Sequence, residues 1–550
     1  MTTNSGLALR VGGLLGVLTL AAGCSLGAVD GGREDQEGAA SDDISAALGQ
    51  SISWKPCHDD DEVDELHDAD LEVGFDEDEA EEARDWRAAL ECGSLTVPVD
   101  YADPEGRSLK MRVIRKPAEG TADDRVGSLI VNPGGPGVSG VEHMDSPAFG
   151  DGIRSRFDIV SFDPRGVGKS RAIMCGDPEA LYGAQDAIHG TDPAELSEAE
   201  LGELEKAAKA YADACAEDVG EDFLGSVGTV DVVNDVEVLR DALGDDALTY
   251  VGFSYGTYIG ALYAETYPDN VRALVLDGAV ETTRSNADIA VDQAKGFQTA
   301  WESFVEDCIA TGDYCPFSST DAAENELERI LGKIEDGGYE VAGMQATRSA
   351  MLNLISQMLY SEDNWEGLRY TLDAADYGDT QVAQDNLDAI AEDMFGGEEF
   401  TAGDDEDGTV DTEAALVAIN CVDRTDPTDI EAYRKAAEKA AEASPLFGAD
   451  VVWAQLPCAY WAADAPAPTE FSAEDAPPIV VVGTRNDPAT PYAWAEELSE
   501  QLASATLVTY EGDGHTVYGY NKSACIDDPL DAYLIDTSVP EEGLSCPSAR

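Results

Sequence analysis

Basic residues are scarce: Lys and Arg number 33 against 112 Asp and Glu in 550 residues, a formal charge of −79. Phosphate binding needs clustered Lys and Arg, so nucleic acid is excluded as a partner. An anionic membrane surface would repel the body of the chain for the same reason. Histidine is scarcer still, with five copies (His58, His67, His143, His189 and His515), none at zinc-ligand spacing. No Cys-x-x-Cys pair occurs, and no apolar run is long enough to span a bilayer. Neither a metal nor an organic cofactor is expected. What is present is a composition 43% hydrophobic and 7% aromatic, that of a globular protein rather than a disordered acidic chain. The acidity reads as a heavily hydrated surface.

At the N-terminus, Arg10 precedes an apolar run from Val11 to Ala22, which ends in Leu20-Ala21-Ala22-Gly23-Cys24. Such a run is too short to cross a membrane but suits a signal-peptide core. The small residues before Cys24 resemble the lipobox of a bacterial lipoprotein. That resemblance implies acylation of Cys24 and anchoring at the outer face of the cell membrane, with plain secretion as the alternative. Residues 1–24 are thus expected to be a signal peptide and 25–50 a flexible tether, with membrane contact through Cys24 only. Export lets the other ten cysteines form up to five disulfides. The simplest of many possible connectivities pairs neighbours in order, with Cys308–Cys315 and Cys525–Cys546 the most local.

Regular structure is expected from Cys92, after a densely acidic excursion over 59–85 between Cys57 and Cys92. Leu95–Val99 and Leu109–Ile114 read as paired strands about the turn Asp103-Pro104-Glu105-Gly106. Short apolar runs with little alternation follow at Ser128–Val131, Phe157–Phe162, Leu248–Val251 and Ala273–Leu276, then at Ile479–Val482 and Ala505–Tyr510. They suit strands buried on both faces of a parallel sheet, and helical patterns such as Val232–Leu243 and Thr257–Tyr267 lie between them. The expected fold class is α/β, a mostly parallel, doubly wound sheet. The alternation stops near Glu281 and resumes near Pro477. The helical stretch between is read as a cap domain over 281–476, inserted between core segments 51–280 and 477–550.

The chemistry-bearing motif is Gly252-Phe253-Ser254-Tyr255-Gly256, reached directly from the strand Leu248–Val251 and followed by a helix. Strand, tight turn and helix in that order make the nucleophile elbow of the α/β-hydrolase fold, with Ser254 as nucleophile. A serine hydroxyl needs a base, and this fold orders its triad as Ser, acid, His. His515 is the single histidine after Ser254. Asp487, at the end of the strand Ile479–Val482, is the expected acid. Asp513 is its rival, but lies awkwardly close to His515 on the same loop. The oxyanion hole is expected from the N–H of Tyr255 and that of Gly135, or alternatively Gly134, in Asn132-Pro133-Gly134-Gly135-Pro136-Gly137. A second glycine-rich string, Asp163–Ser170, lacks the Walker spacing of a phosphate loop.

Taken together, these segments resemble the secreted tripeptidyl aminopeptidases of actinomycetes, α/β-hydrolases related to the proline iminopeptidases. The likeness runs from about Ile52 to Cys546. It includes Trp54-Lys55-Pro56-Cys57, Cys92–Tyr101, the Asn132–Gly137 loop, Phe162–Gly168, Gly252–Thr257, Ala418–Asp423, Asp487–Pro491 and Gly514-His515-Thr516. It implies the α/β-hydrolase fold with an inserted helical cap, and it places nucleophile, acid and base on Ser254, Asp487 and His515. The activity implied is a serine exopeptidase acting on peptides with a free N-terminus. Asp423 is a candidate for binding the substrate ammonium from its place in the Ala418–Asp423 motif. Alternatives are an esterase or lipase using the same three residues, and a non-catalytic peptide-binding lipoprotein.

Overall fold

The computed structural model describes residues 44–72, 77–176, 178–341, 343–395, 412–463 and 471–549. The expected signal peptide, Cys24 and most of the expected tether lie outside the described residues. The tether expected over 25–50 ends earlier than its composition implies. Ile44 and Ala47 are buried in the main core, and Gln50 exchanges two hydrogen bonds with the backbone of Thr96. Two apolar residues and one well-placed amide suffice to dock a segment that is otherwise Gly, Ala, Ser and Asp.

The strands are β1 (Lys55–Pro56), β2 (Glu91–Pro98), β3 (Ser108–Lys116), β4 (Gly127–Asn132), β5 (Phe157–Phe162), β6 (Leu248–Phe253), β7 (Val271–Asp277), β8 (Glu340–Val341), β9 (Met344–Gln345), β10 (Ile479–Asn486), β11 (Ala505–Asp513) and β12 (Ser545–Pro547). All but the β8–β9 hairpin join one ten-stranded sheet in the order β1-β2-β3-β5-β4-β6-β7-β10-β11-β12. Pairing is antiparallel from β1 to β5 along that order and parallel from there to β12. Every residue of β4, β5 and β6 is buried, because helices cover both faces, and this is why their sequences show no alternation. Five disulfides join Cys57–Cys92, Cys175–Cys215, Cys308–Cys315, Cys421–Cys458 and Cys525–Cys546, the pairing of neighbours in order.

The acidic excursion is two helices, Asp60–Glu72 and Glu77–Ala88. Apolar residues that are easily missed among so many acids, Val63, Ala80, Ala83 and Trp86, are buried. Arg87 forks onto Asp70 and also bonds the carbonyl of Asp145, while the Trp86 indole donates to the carbonyl of Met144. The excursion is thus docked beside the segment that follows the Asn132–Gly137 loop.

Between β7 and β10 the chain is largely helical. Packing divides this insertion in two. Residues from Phe297 to Leu387, with Leu446 and Phe447, form a hydrophobic cluster of their own. The start of helix Asn286–Thr311, the helices Thr412–Asp423 and Ile430–Ala443, and Val452–Ala459 join the main core beneath. Among the described residues no helix is long and apolar enough to cross a membrane.

The glycine-rich string after β5 is a brace. Arg165, wholly buried, spends all five N–H donors: two on the Asp235 carboxylate at 2.7 Å each, and three on the carbonyls of Pro98, Val99 and Ser226. Tyr101 completes the cluster by donating to Asp235 at 2.7 Å. The loop after β5 is thereby fixed to the β2–β3 hairpin and to helix Thr229–Leu243. Arg165→Met strands a buried carboxylate and three carbonyls. It is expected to lower unfolding free energy in urea by about 3–5 kcal/mol; a loss below about 1 kcal/mol would contradict this account.

Candidate active site

β6 enters the elbow at Gly252 and helix Tyr255–Thr266 leaves it. Ser254 sits between at φ 51° and ψ −122°, a conformation that costs a non-glycine residue energy and turns its side chain out of the sheet. The turn is held on all sides. Its amide donates to the carbonyl of Asp277 at 2.9 Å, and its carbonyl accepts from the amide and hydroxyl of Thr257 at 2.8 and 2.6 Å. Small flanking residues are required: a Cβ on Gly256 would stand 2.8 Å from the Asn132 carbonyl, and one on Gly252 would strike Gly256.

Asp487 and His515 stand at the ends of β10 and β11. The imidazole Nδ1 lies 2.9 Å from both oxygens of Asp487. The carboxylate is aimed by its own loop, accepting the amides of Ala489 and Thr490 at 2.9 and 2.8 Å and the Thr490 hydroxyl at 3.0 Å. The rival Asp513 is turned away and accepts from Asn486 at 3.0 Å. His515 and the elbow are neighbours across Gly278, which follows directly on the Asp277 carbonyl that holds Ser254. A Cβ there would lie 3.1 Å from the imidazole Cε1. Burial pulls the His515 pKa down, but the charge and hydrogen bond of Asp487, and then the charge of Asp277, outweigh it and leave the pKa raised above 6.5.

The Asn132–Gly137 loop lies over the elbow, with Gly134 packed on Ser254. Its Gly134 amide is taken by the Asn132 side chain at 3.0 Å. Tyr255 opens its helix, where the first amides have no intrahelical acceptor. The insertion touches each of these loops. Helix Asn286–Thr311 packs through Gly296 on the carbonyls of Asp487 and Pro488, and helix Thr412–Asp423 packs on Gly137. The Tyr360 carbonyl accepts the His515 amide at 2.8 Å, and its ring meets the imidazole edge-on.

Asp423 is 3% exposed, and Thr229 engages both its oxygens, by amide at 2.7 Å and hydroxyl at 2.6 Å. It serves the start of helix Thr229–Leu243 and, through the same hydroxyl, the phenol of Tyr255 at 2.6 Å. Both oxygens of the residue expected to bind a substrate ammonium are thus already hydrogen-bonded within the fold. Burial pushes its pKa up to about 6, against the two Thr229 bonds.

Thr490, Tyr360 and Asp277 escaped the reading of the sequence. Asp277 could have been found, since it ends the apolar run Ala273–Leu276 at the same sheet edge that singled out Asp487. Tyr360 carries no local signal.

This is an α/β-hydrolase, and the comparisons with known proteins make it a serine peptidase. The α/β-hydrolase fold family model matches residues 127–322 and the TAP-like protein model residues 444–546. The chain is 34% identical over 520 residues to serine protease Hip1 of Mycobacterium tuberculosis, covering 91% of each. It is 31% identical to the tripeptidyl aminopeptidase of Streptomyces lividans, covering 84% of this chain and 85% of that one. It is 33% identical to a Mycobacterium tuberculosis protein named carboxylesterase B, covering 83% and 86%. The chain belongs to the tripeptidyl aminopeptidase family. Among solved structures, esterase E22 aligns over 78% of this chain and 94% of its own at 13% identity and TM-score 0.32.

Two outcomes follow from the geometry. Because the raised imidazole pKa keeps His515 protonated to higher pH, kcat/KM should rise with pH through a midpoint above 6.5. A pH–rate profile with its acid limb below that value would refute it. A Cβ at Gly134 would fall 2.6 Å from the Phe253 carbonyl and 2.8 Å from the Ser254 Cβ. Gly134→Ala should therefore lower kcat by about a hundredfold or more while circular dichroism stays unchanged.

Proposed function

We propose that Ser254, His515 and Asp487 work as a catalytic triad in an exported, lipid-anchored exopeptidase that cuts peptides near a free N-terminus. The observation that carries this reading is the Asp487–His515 pair, with its imidazole beside the loop that holds a strained Ser254. With Nδ1 committed to Asp487, Nε2 is the nitrogen left to take the Ser254 proton as the hydroxyl attacks a peptide carbonyl. The tetrahedral oxygen is received by the amides of Tyr255 and Gly135. Gly135 is favoured over Gly134, whose amide is already spent on Asn132. His515 then protonates the leaving amine, and water releases the acyl-enzyme by the reverse proton path.

The exopeptidase assignment is supported by the insertion, which leans on the acid, histidine and glycine loops at once and so narrows the approach. It is supported too by the Streptomyces relative named tripeptidyl aminopeptidase. Export is supported by five disulfides. Anchoring through Cys24 rests on the lipobox resemblance. The relative named carboxylesterase B favours a second reading, an esterase using the same residues.

Mass spectrometry of a free-N-terminal peptide ladder, beside N-acetylated copies and short acyl esters, separates these readings. Stepwise loss of small N-terminal fragments, abolished by acetylation and by Ser254→Ala, is the expected result. Internal cuts would replace the exopeptidase with an endopeptidase. Ester turnover without amide cleavage would establish the esterase.

A further inference from the structure

Asp277, the last residue of β7, is fully buried and bonded to two of the loops that meet at the site. Its main-chain carbonyl accepts the amide of Ser254 at 2.9 Å. Its Oδ2 accepts the amides of Val517 and Tyr518, just past His515, at 2.8 Å each. Its Oδ1 has no hydrogen-bond partner among the described residues. Two amides need only one acceptor oxygen, which an asparagine would supply without the cost of burying a charge. What a carboxylate adds over that amide is its negative charge, with no N–H left lacking an acceptor at the Oδ1 position. The adjoining Gly278 lies against the His515 ring, and His515 is the group whose charge Asp277 meets.

On the reading of His515 as general base, we infer that Asp277 is a positioning residue of the site. It fixes the histidine loop against the nucleophile turn and, as a second carboxylate beside Asp487, stabilises the imidazolium formed when Ser254 gives up its proton. The other groups facing this pair are the phenols of Tyr360 against His515 and Tyr520 against Asp277. Burial, opposed by the Tyr518 and Val517 amides, pushes the Asp277 pKa up to about 6. Its proton and that of His515 therefore come off in linked steps.

The test is the pH dependence of kcat/KM on a free-N-terminal tripeptide anilide for the wild type and Asp277→Asn. The variant keeps an acceptor for both amides, and exchanges the charge and the unpartnered Oδ1 for an NH2 group. It is expected to fold, to lose roughly tenfold in kcat with KM little changed, and to move its acid limb down by about half a unit to one unit. A structural role alone would leave the limb where it is, and an unmoved limb overturns the inference. Should the variant fail to fold, the wild-type limb decides: a slope steeper than one proton supports the pairing, and a single-proton limb overturns it. Fluorophosphonate labelling of wild-type Ser254 keeps the two readings apart. No labelling defeats the triad itself, whereas labelling with an unmoved limb defeats only the role of Asp277.

Discussion

The constraint on which everything else rests is the register of the parallel strands. Asn132 stands opposite Gly252, Phe253 opposite Asp277, Asp277 opposite Val482, and Asn486 opposite Asp513. β4, β6 and β7 therefore end within a residue of one another, β10 and β11 run four residues further, and each of the five leads straight into a loop of the site. Side chains alternate between the faces of a strand, so a slip of one residue would turn every buried group to the opposite face. The runs of Val, Ile and Leu in these strands serve the chemistry indirectly, by burying the ladder between two layers of helices.

Charge is handled in two ways. Most carboxylates are outside, in water, where their number matters more than their position. A few are inside, where hydrogen-bond donors converge on them. Asp235 takes the fork of Arg165, and Asp163 takes the Ser139 hydroxyl with the amides of Val141 and Lys169. Asp423 takes both donors of Thr229. Buried ionic groups are costly unless satisfied in this manner. They tie together segments far apart in sequence, around a site whose loops follow five separate strands.

Much of this was legible from residue types and order. The strands Phe157–Phe162 and Leu248–Phe253 announce themselves because burial on both faces leaves an unbroken apolar run. Neighbouring cysteines pair because the segments between them fold back locally. The uniqueness of His515 after Ser254 was a matter of counting. What stayed hidden depends on distant partners. The helices Asp60–Glu72 and Glu77–Ala88 are disguised by their acids, since only a few apolar residues mark the docked face. The commitment of Asp423 to Thr229 links positions 194 apart. That the Tyr360 carbonyl holds the His515 amide is a backbone contact, which no side-chain pattern records.

The insertion's divided packing has an evolutionary consequence. Its outer helices have a cluster of their own, while the helices beneath share the main core and rest on the glycine and acid loops. Apart from Tyr360, which packs with the outer cluster and holds the His515 amide, selection can therefore alter the volume and lining of the outer part without repacking the floor where bonds are made and broken. Innovation in diet and preservation of chemistry fall on different residues, and a lineage can change what it digests while inheriting how it digests.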